Sequence, residues 1–179
     1  ERIEQIPYAF VISEFDHLTG LSSFQDGWFY VQDISSMSVA QAADPKKDDY
    51  IIDVCAAPGG KSSHLAELLD GSGMVEARDL TEYKVGLIEE NIQRHDLRNM
   101  KAVQQDATIL DEASVKKADI LICDLPCSGL GVIGRKSDIR YKMTAEKAHN
   151  LALLQQQMLD TVCAYVKCGG KLIYSTCTI

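Results

Sequence analysis

From Tyr50 to Ser175 short apolar runs alternate with amphipathic stretches, and an aspartate recurs at or near the end of run after run. The runs are Ile51-Ile52-Asp53-Val54-Cys55, Met74 to Ala77, Lys101 to Gln105, Ile120-Leu121-Ile122-Cys123 and Lys171 to Ser175. Helical patterns separate them: about Lys61 to Leu69, Thr81 to Arg94, a short one near Asp111 to Lys116, and a long one from Thr144 to Val166. Such alternation predicts an α/β fold with a doubly wound, mostly parallel, Rossmann-like sheet whose faces the helices cover. The second helix places Val85, Ile88 and Ile92 on one face, and the long one Ala148, Leu151, Leu154, Met158 and Val162. Thr144 reads as the N-cap of the long helix, and Gly169-Gly170 as its stop. Residues 46–179 form this core. Residues 1–45 are a lead-in, with a strand at Trp28-Phe29-Tyr30-Val31 and a helix from Ile34 to Ala43. What precedes Phe24 reads as a hairpin or the tail of a preceding domain.

With 179 residues and nearly half of them apolar, the chain buries a core without disulfides or metal. The six cysteines, at 55, 123, 127, 163, 168 and 177, lack the spacing of a zinc ribbon, so no metal is expected and the thiols read as reduced and intracellular. Neither a signal pattern nor a stretch long enough to cross a bilayer is present, so a soluble cytoplasmic fragment, cut at both ends, is expected. The net charge of -8 argues against general nucleic-acid binding. Between Gly134 and Lys147, however, Arg135, Lys136, Arg140, Lys142 and Lys147 outnumber Asp138 and Glu146, which leaves open a local RNA-facing loop or a solvated helix approach.

After the first strand comes Cys55-Ala56-Ala57-Pro58-Gly59-Gly60-Lys61. A turn of small residues between a strand and a helix lets a ligand approach the backbone near the positive helix end. The spacing fits neither the dinucleotide fingerprint nor the triphosphate loop, which argues against a nicotinamide-dependent oxidoreductase. Asp79, about twenty residues past the turn, stands where doubly wound folds place a carboxylate for ribose hydroxyls. Asp53, Asp106 and Asp124 also end strands, and a parallel sheet brings the four toward one crevice. Carboxylates suit a ligand with hydroxyls, an amine and a positive centre, as S-adenosylmethionine has.

Cys127 follows the fourth strand and Cys177 the fifth, at the same rim if those strands are neighbours. Cys55, Cys123, Cys163 and Cys168 read instead as small buried hydrophobes. A thiol suits methyl transfer to carbon 5 of a pyrimidine, because thiolate addition at carbon 6 makes carbon 5 nucleophilic. Lys61 is a candidate cation to favour the thiolate. Asp124 is a candidate to hold the pyrimidine edge and, protonated, to stabilise the adduct through ring nitrogen 3. These residues alone do not rank the two thiols.

The stretch from about Trp28 to the last residue resembles the RsmB/Sun-type (Nop/Sun family) RNA cytosine-5 methyltransferases. The marks are Val31-Gln32-Asp33 with Ser35-Ser36, Asp53 to Lys61, Asp79, Asp106, Asp124 to Gly131, Gly131 to Tyr141, and Ser175-Thr176-Cys177-Thr178. The resemblance implies a class I methyltransferase fold, truncated here before its final strands. It also implies S-adenosylmethionine held by Cys55, Ala56, Ala57, Pro58, Gly59, Gly60, Lys61, Asp79, Asp106 and Asp124. Cys177 matches the family's nucleophile, and Cys127 the cysteine that helps release product. The implied substrate is a cytosine of RNA, 16S ribosomal RNA first, with tRNA or 23S RNA as alternatives. Leu125, Gly134, Ser137 and Asp96 depart from the family's usual residues. A non-catalytic RNA-binding or assembly module is the competing reading, against which the two rim cysteines stand.

Overall fold

The computed structural model describes residues 1–14, 16–132 and 143–177. After a helical turn α1 (Ser22–Gln25) and helix α2 (Ile34–Ala43) come β1 (Tyr50–Asp53), α3 (Gly60–Leu68), β2 (Met74–Asp79), α4 (Glu82–Arg94), β3 (Met100–Gln104), β4 (Ala118–Asp124), α5 (Ala145–Val162) and β5 (Val166–Ser175). The strands form one sheet in the order β3-β2-β1-β4-β5, and every pairing is parallel. All five carboxyl ends therefore share one rim, and the order reverses between β1 and β4, the switch point where such sheets bind ligands.

Strand periodicity sorts the core into two layers. Ile51, Val75, Ala77, Ile120 and Ile122 point to one face and pack with α2, α3 and α4 through residues such as Ala43, Leu65 and Ile88. Ile52, Leu121 and Cys123 point to the other, against Met158, Val162 and Tyr165. Burial along α5 rises from partial at Ala148, Leu151 and Leu154 to full at Met158 and Val162. Thr144 caps α5 by accepting from Lys147 N at 3.2 Å. Among the described residues, no helix is long and apolar enough to cross a membrane.

On β2 the alternation puts charge inside. Arg78 is 2% exposed, donates from Nε to Glu76 Oε1 at 2.7 Å and from Nη2 to Ser114 Oγ at 2.5 Å, and lies over the Tyr165 ring. Glu76 in turn accepts from Tyr50 Oη at 2.7 Å and pairs with Lys101 at 2.6 Å. Burial opposes ionisation of Glu76, yet hydrogen bonds from Lys101 and Tyr50 and the Arg78 charge hold its carboxyl below its ordinary range.

Three expectations change. Trp28 to Val31 is not a strand: Trp28 is 81% exposed, and the neighbouring rings pack on side chains, Phe29 on Phe24 and Tyr30 on His64 and His95. Among the described residues it pairs with no strand of the sheet, whereas the predicted helix 34–43 forms as read. The long helix stops at Val162, passes through a 3-10 turn at Cys163–Tyr165, and β5 begins at Val166, so Gly169 and Gly170 lie within a strand. A Cβ on Gly170 would stand 2.8 Å from Asp119 O and 3.0 Å from Ala118 O, so the glycine serves close strand approach at the register shift between Ala118 and Ile120. Cys163 and Cys168 are exposed, because one starts the turn after α5 and the other lies on the edge strand, while Cys123 is buried as read.

Removing Arg78 takes from Glu76 the buried cation at Oε1 and leaves Lys101 and Tyr50 at Oε2. Arg78→Ala is expected to lower unfolding free energy by about 3 kcal/mol in urea titration at neutral pH, and a loss near zero would show that the charged layer carries no stability.

Candidate active site

The β1–α3 turn is shaped by backbone. Gly59 has φ +107, a left-handed conformation that favours glycine, and its N–H donates to Ala56 O at 2.7 Å. The Ala57–Pro58 peptide is cis, and Asn91 Nδ2 donates to Pro58 O at 2.6 Å. Ala56 N donates to Arg78 O at 2.8 Å, tying the turn to β2. A Cβ on Gly60 would meet nothing within 4 Å, so open space lies beside the positive end of α3.

The four acids part company. Asp79, 3% exposed, accepts from Ala57 N at 3.1 Å and Leu80 N at 2.8 Å and pairs with Lys84 at 2.9 Å, so it braces the turn it adjoins. Asp106 accepts from Thr108 N at 2.8 Å and Thr108 Oγ1 at 2.7 Å, closing the loop after β3. Asp53 does not reach the crevice, contrary to expectation: it is 1% exposed between β2 and β4, accepting from Ser62 Oγ at 2.6 Å. Burial pushes its carboxyl up to about 6, and the Asp124 charge adds to this, against the hydrogen bonds from Ser62 and Cys55 and the Lys61 charge.

Asp124 is the acid at which elements meet. Lys61 Nζ donates to Oδ2 at 2.6 Å, and Ser175 Oγ donates to Oδ1 at 2.9 Å. One carboxylate thus joins the start of α3 to the ends of β4 and β5. Lys61 is engaged here by Asp124. Beyond this knot the two strands run on to Cys127 and Cys177, which are joined as a disulfide with Cα atoms 6.5 Å apart, within the span such a bond requires. The expectation of reduced thiols fails at this pair, because adjacent strand ends bring the sulfurs into bonding contact. Cys127 is half-buried and Cys177 exposed. Cys55 is half-buried, and burial, with the charges of Asp53, Asp79 and Asp124, pushes its thiol up to about 12, so it stays protonated and unreactive.

Sequence reasoning missed the side chains that hold the acids. These are Ser62 on Asp53, Lys84 on Asp79, Thr108 on Asp106 and Ser175 on Asp124. Thr108 and Lys84 carried a local signal, lying within a turn of their partners. Ser175 carried one only through the register, which sets it opposite Asp124. The basic stretch from Gly134 to Lys142 lies outside the described residues, as do Thr178 and Ile179. A cavity of about 1070 Å³ lined by Tyr8, Phe10, Tyr30, Asp33 and Ile34 is largely apolar and, among the described residues, meets the segment after β4 at Gly131.

Asp53 makes stability depend on pH. Its folded value is raised, so its contribution is complete below the unfolded value of 3.8 and is lost as pH rises through about 6. Asp53→Asn keeps an acceptor for Ser62 and cannot ionise. The stability of this variant relative to wild type is expected to improve by about 2 kcal/mol between pH 4 and pH 7 in urea titrations. A difference that stays constant across this range would show that Asp53 does not titrate in it.

Residues 40–179 match the family described as 16S rRNA methyltransferase RsmB/F. A probable ribosomal RNA small subunit methyltransferase B of Bacillus subtilis (strain 168) is 44% identical over 90% of this chain, and a tRNA (cytosine(72)-C(5))-methyltransferase of Pyrococcus horikoshii is 38% identical, also over 90%. The chain spans only 36% and 41% of those two proteins. The crystal structure of NSun6 from Pyrococcus horikoshii with SFG aligns with a TM-score of 0.84 at 38% identity, over 92% of this chain and 42% of that one. A SAM-dependent O-methyltransferase from Thermotoga maritima, 21% identical, aligns with a TM-score of 0.58 over 81% of this chain and 44% of that one, a likeness of fold alone. The matched stretch runs from within α2 through the glycine turn, the strand-end acids and both rim cysteines, and the chain belongs to the 16S rRNA methyltransferase RsmB/F family.

Proposed function

We propose that this chain is the cofactor-binding and catalytic part of an S-adenosylmethionine-dependent enzyme that methylates carbon 5 of a cytosine in RNA, acting in the cytoplasm. The observation that carries the reading is the meeting of Cys127 and Cys177 at neighbouring strand ends, just past the carboxylate shared by Lys61 and Ser175. Residues 46–179 make up the catalytic unit, with 1–45 as its lead-in.

The residues fit the cofactor. The open space at Gly60, the α3 N-terminus and the backbone from Cys55 to Lys61 offer a surface that admits close approach, and Asp79 and Asp106 bring carboxylates to its edge. Asp124 completes the set on the β4 side. When bound, S-adenosylmethionine supplies the electrophilic methyl group that carbon 5 takes up.

The bonded pair is the oxidised form, and thiol–disulfide exchange with a dithiol reductant, which is itself oxidised to a disulfide, releases both cysteines as thiols. Cys177, as thiolate, forms a bond to carbon 6 of a base turned out of its stack, and the ring electron pair shifts toward carbon 5. Asp124, held at both oxygens, orients the pyrimidine edge. After methylation the carbon 5 proton leaves to a base, its electron pair reforms the ring double bond, and the sulfur–carbon 6 bond breaks. Cys127 stands beside the adduct to assist that release.

Among RNAs, 16S ribosomal RNA is favoured over tRNA by the family description and by the higher identity to the Bacillus relative, 44% against 38%. In reducing buffer, full-length protein with Cys177→Ala is expected to lose methyl transfer, and Cys127→Ala to accumulate RNA-linked protein resistant to denaturation. Wild-type transfer by the Cys177 variant contradicts the assignment. Bisulfite mapping of RNA from cells lacking the protein is expected to show one methylcytosine missing from 16S RNA; a loss in tRNA instead would redirect the substrate.

A further inference from the structure

Among the described residues, Lys61 and Ser175 hold Asp124, and of these Lys61 is the group that chemistry at a thiol would call for. The other is Ser175. It lies opposite Asp124 in the β4–β5 register, is half-buried, and donates to Oδ1 at 2.9 Å while Lys61 occupies Oδ2. The Asp124–Ser175 pair is also the last pair in the parallel register of the two strands. Past it each strand leaves the sheet, one reaching Cys127 and the other Cys177.

We infer that Ser175 is a positioning residue for the methyl-transfer reaction. Its hydroxyl fixes the rotation of the Asp124 carboxylate and keeps the end of β5 against the end of β4, so that Cys177 meets the base at the angle the Asp124 contact sets. The inference rests on the methyl-transfer reading for its catalytic part. Its geometric part is independent.

The hydroxyl matters here because a carboxylate on a single cation can swing. A monodentate Lys61 contact leaves rotation about the Asp124 side chain open, since ammonium is a point charge without the fork that would hold two oxygens. A second donor from a different strand removes that freedom. It also makes the carboxylate a clasp across the one strand pairing that brings the two thiols together. Small displacements of reacting groups are costly in rate, and an unfastened strand end displaces both Asp124 and Cys177.

The test uses full-length protein with Ser175→Ala and Ser175→Thr, the latter keeping a hydroxyl on the same carbon. In reducing buffer Ser175→Ala is expected to lower kcat for methyl transfer about tenfold, with KM for RNA and cofactor affinity by calorimetry unchanged, and Ser175→Thr to recover most of the rate. Unchanged kcat, or a threonine variant as slow as alanine, overturns the catalytic part. A second measurement does not need methyl transfer: closure of the Cys127–Cys177 disulfide in oxidised glutathione, which takes up the two electrons, followed by thiol mass labelling. Ser175→Ala is expected to close severalfold more slowly than wild type. Equal closure rates overturn the geometric part. Slowed closure in a protein whose wild type transfers no methyl group leaves the clasp standing and removes the methyl-transfer reading.

Discussion

The parallel pairing of β4 with β5 is the constraint on which the site depends. Its register runs from Ile120 opposite Lys171 to Asp124 opposite Ser175 and sends both chains off the sheet at the same level. Parallel strands share a direction, so whatever follows each of them emerges on one side. Here a cysteine follows both. The same geometry brings the β1–α3 turn alongside, because β1 is the other neighbour of β4. An antiparallel partner in the place of β5 would carry its terminal cysteine to the opposite edge.

Charge inside the molecule is arranged in two ways. Arg78, Glu76, Lys101 and Tyr50 form a layer in which each buried charge meets an opposite charge or a hydroxyl. Asp53 is different, since its contacts are a serine hydroxyl and a weak backbone donor, and burial dominates its behaviour. The first arrangement fastens the outer half of the sheet. The second sets beneath the turn an acid whose carboxyl burial pushes up to about 6, with the nearby Asp124 charge acting in the same direction.

Much of the architecture was legible because periodicity reports burial. The run from Ile51 formed a strand as far as Asp53, with Val54 and Cys55 already in the turn, and the Val85–Ile88–Ile92 face and the helix at 34–43 formed where the apolar pattern put them. Trp28 to Val31 misled because an aromatic, β-prone run becomes a strand only where it pairs with another, and here Phe29 and Tyr30 pack on the rings of Phe24, His64 and His95 instead. Gly169-Gly170 read as a helix stop because glycine marks both caps and close strand approach, and only the neighbouring carbonyls of Ala118 and Asp119 distinguish them. At the site, the acids and thiols could be found by their place at strand ends. The depth of Asp53 and the role of Ser175 could not, since both depend on which strands flank which. The order of the two thiols rests on family resemblance, as the rim geometry treats them nearly alike.

The central claim is that Cys177 bonds to carbon 6 of a cytosine while Cys127 does not. It is tested most directly with full-length protein, S-adenosylmethionine and substrate RNA carrying 5-fluorocytosine, whose fluorine cannot leave as a proton does, so the adduct persists. Peptide mass spectrometry after nuclease and protease digestion is expected to find the methylated fluorocytosine nucleotide on Cys177. Finding it on Cys127, or recovering methylated RNA with no protein attached, would contradict the account.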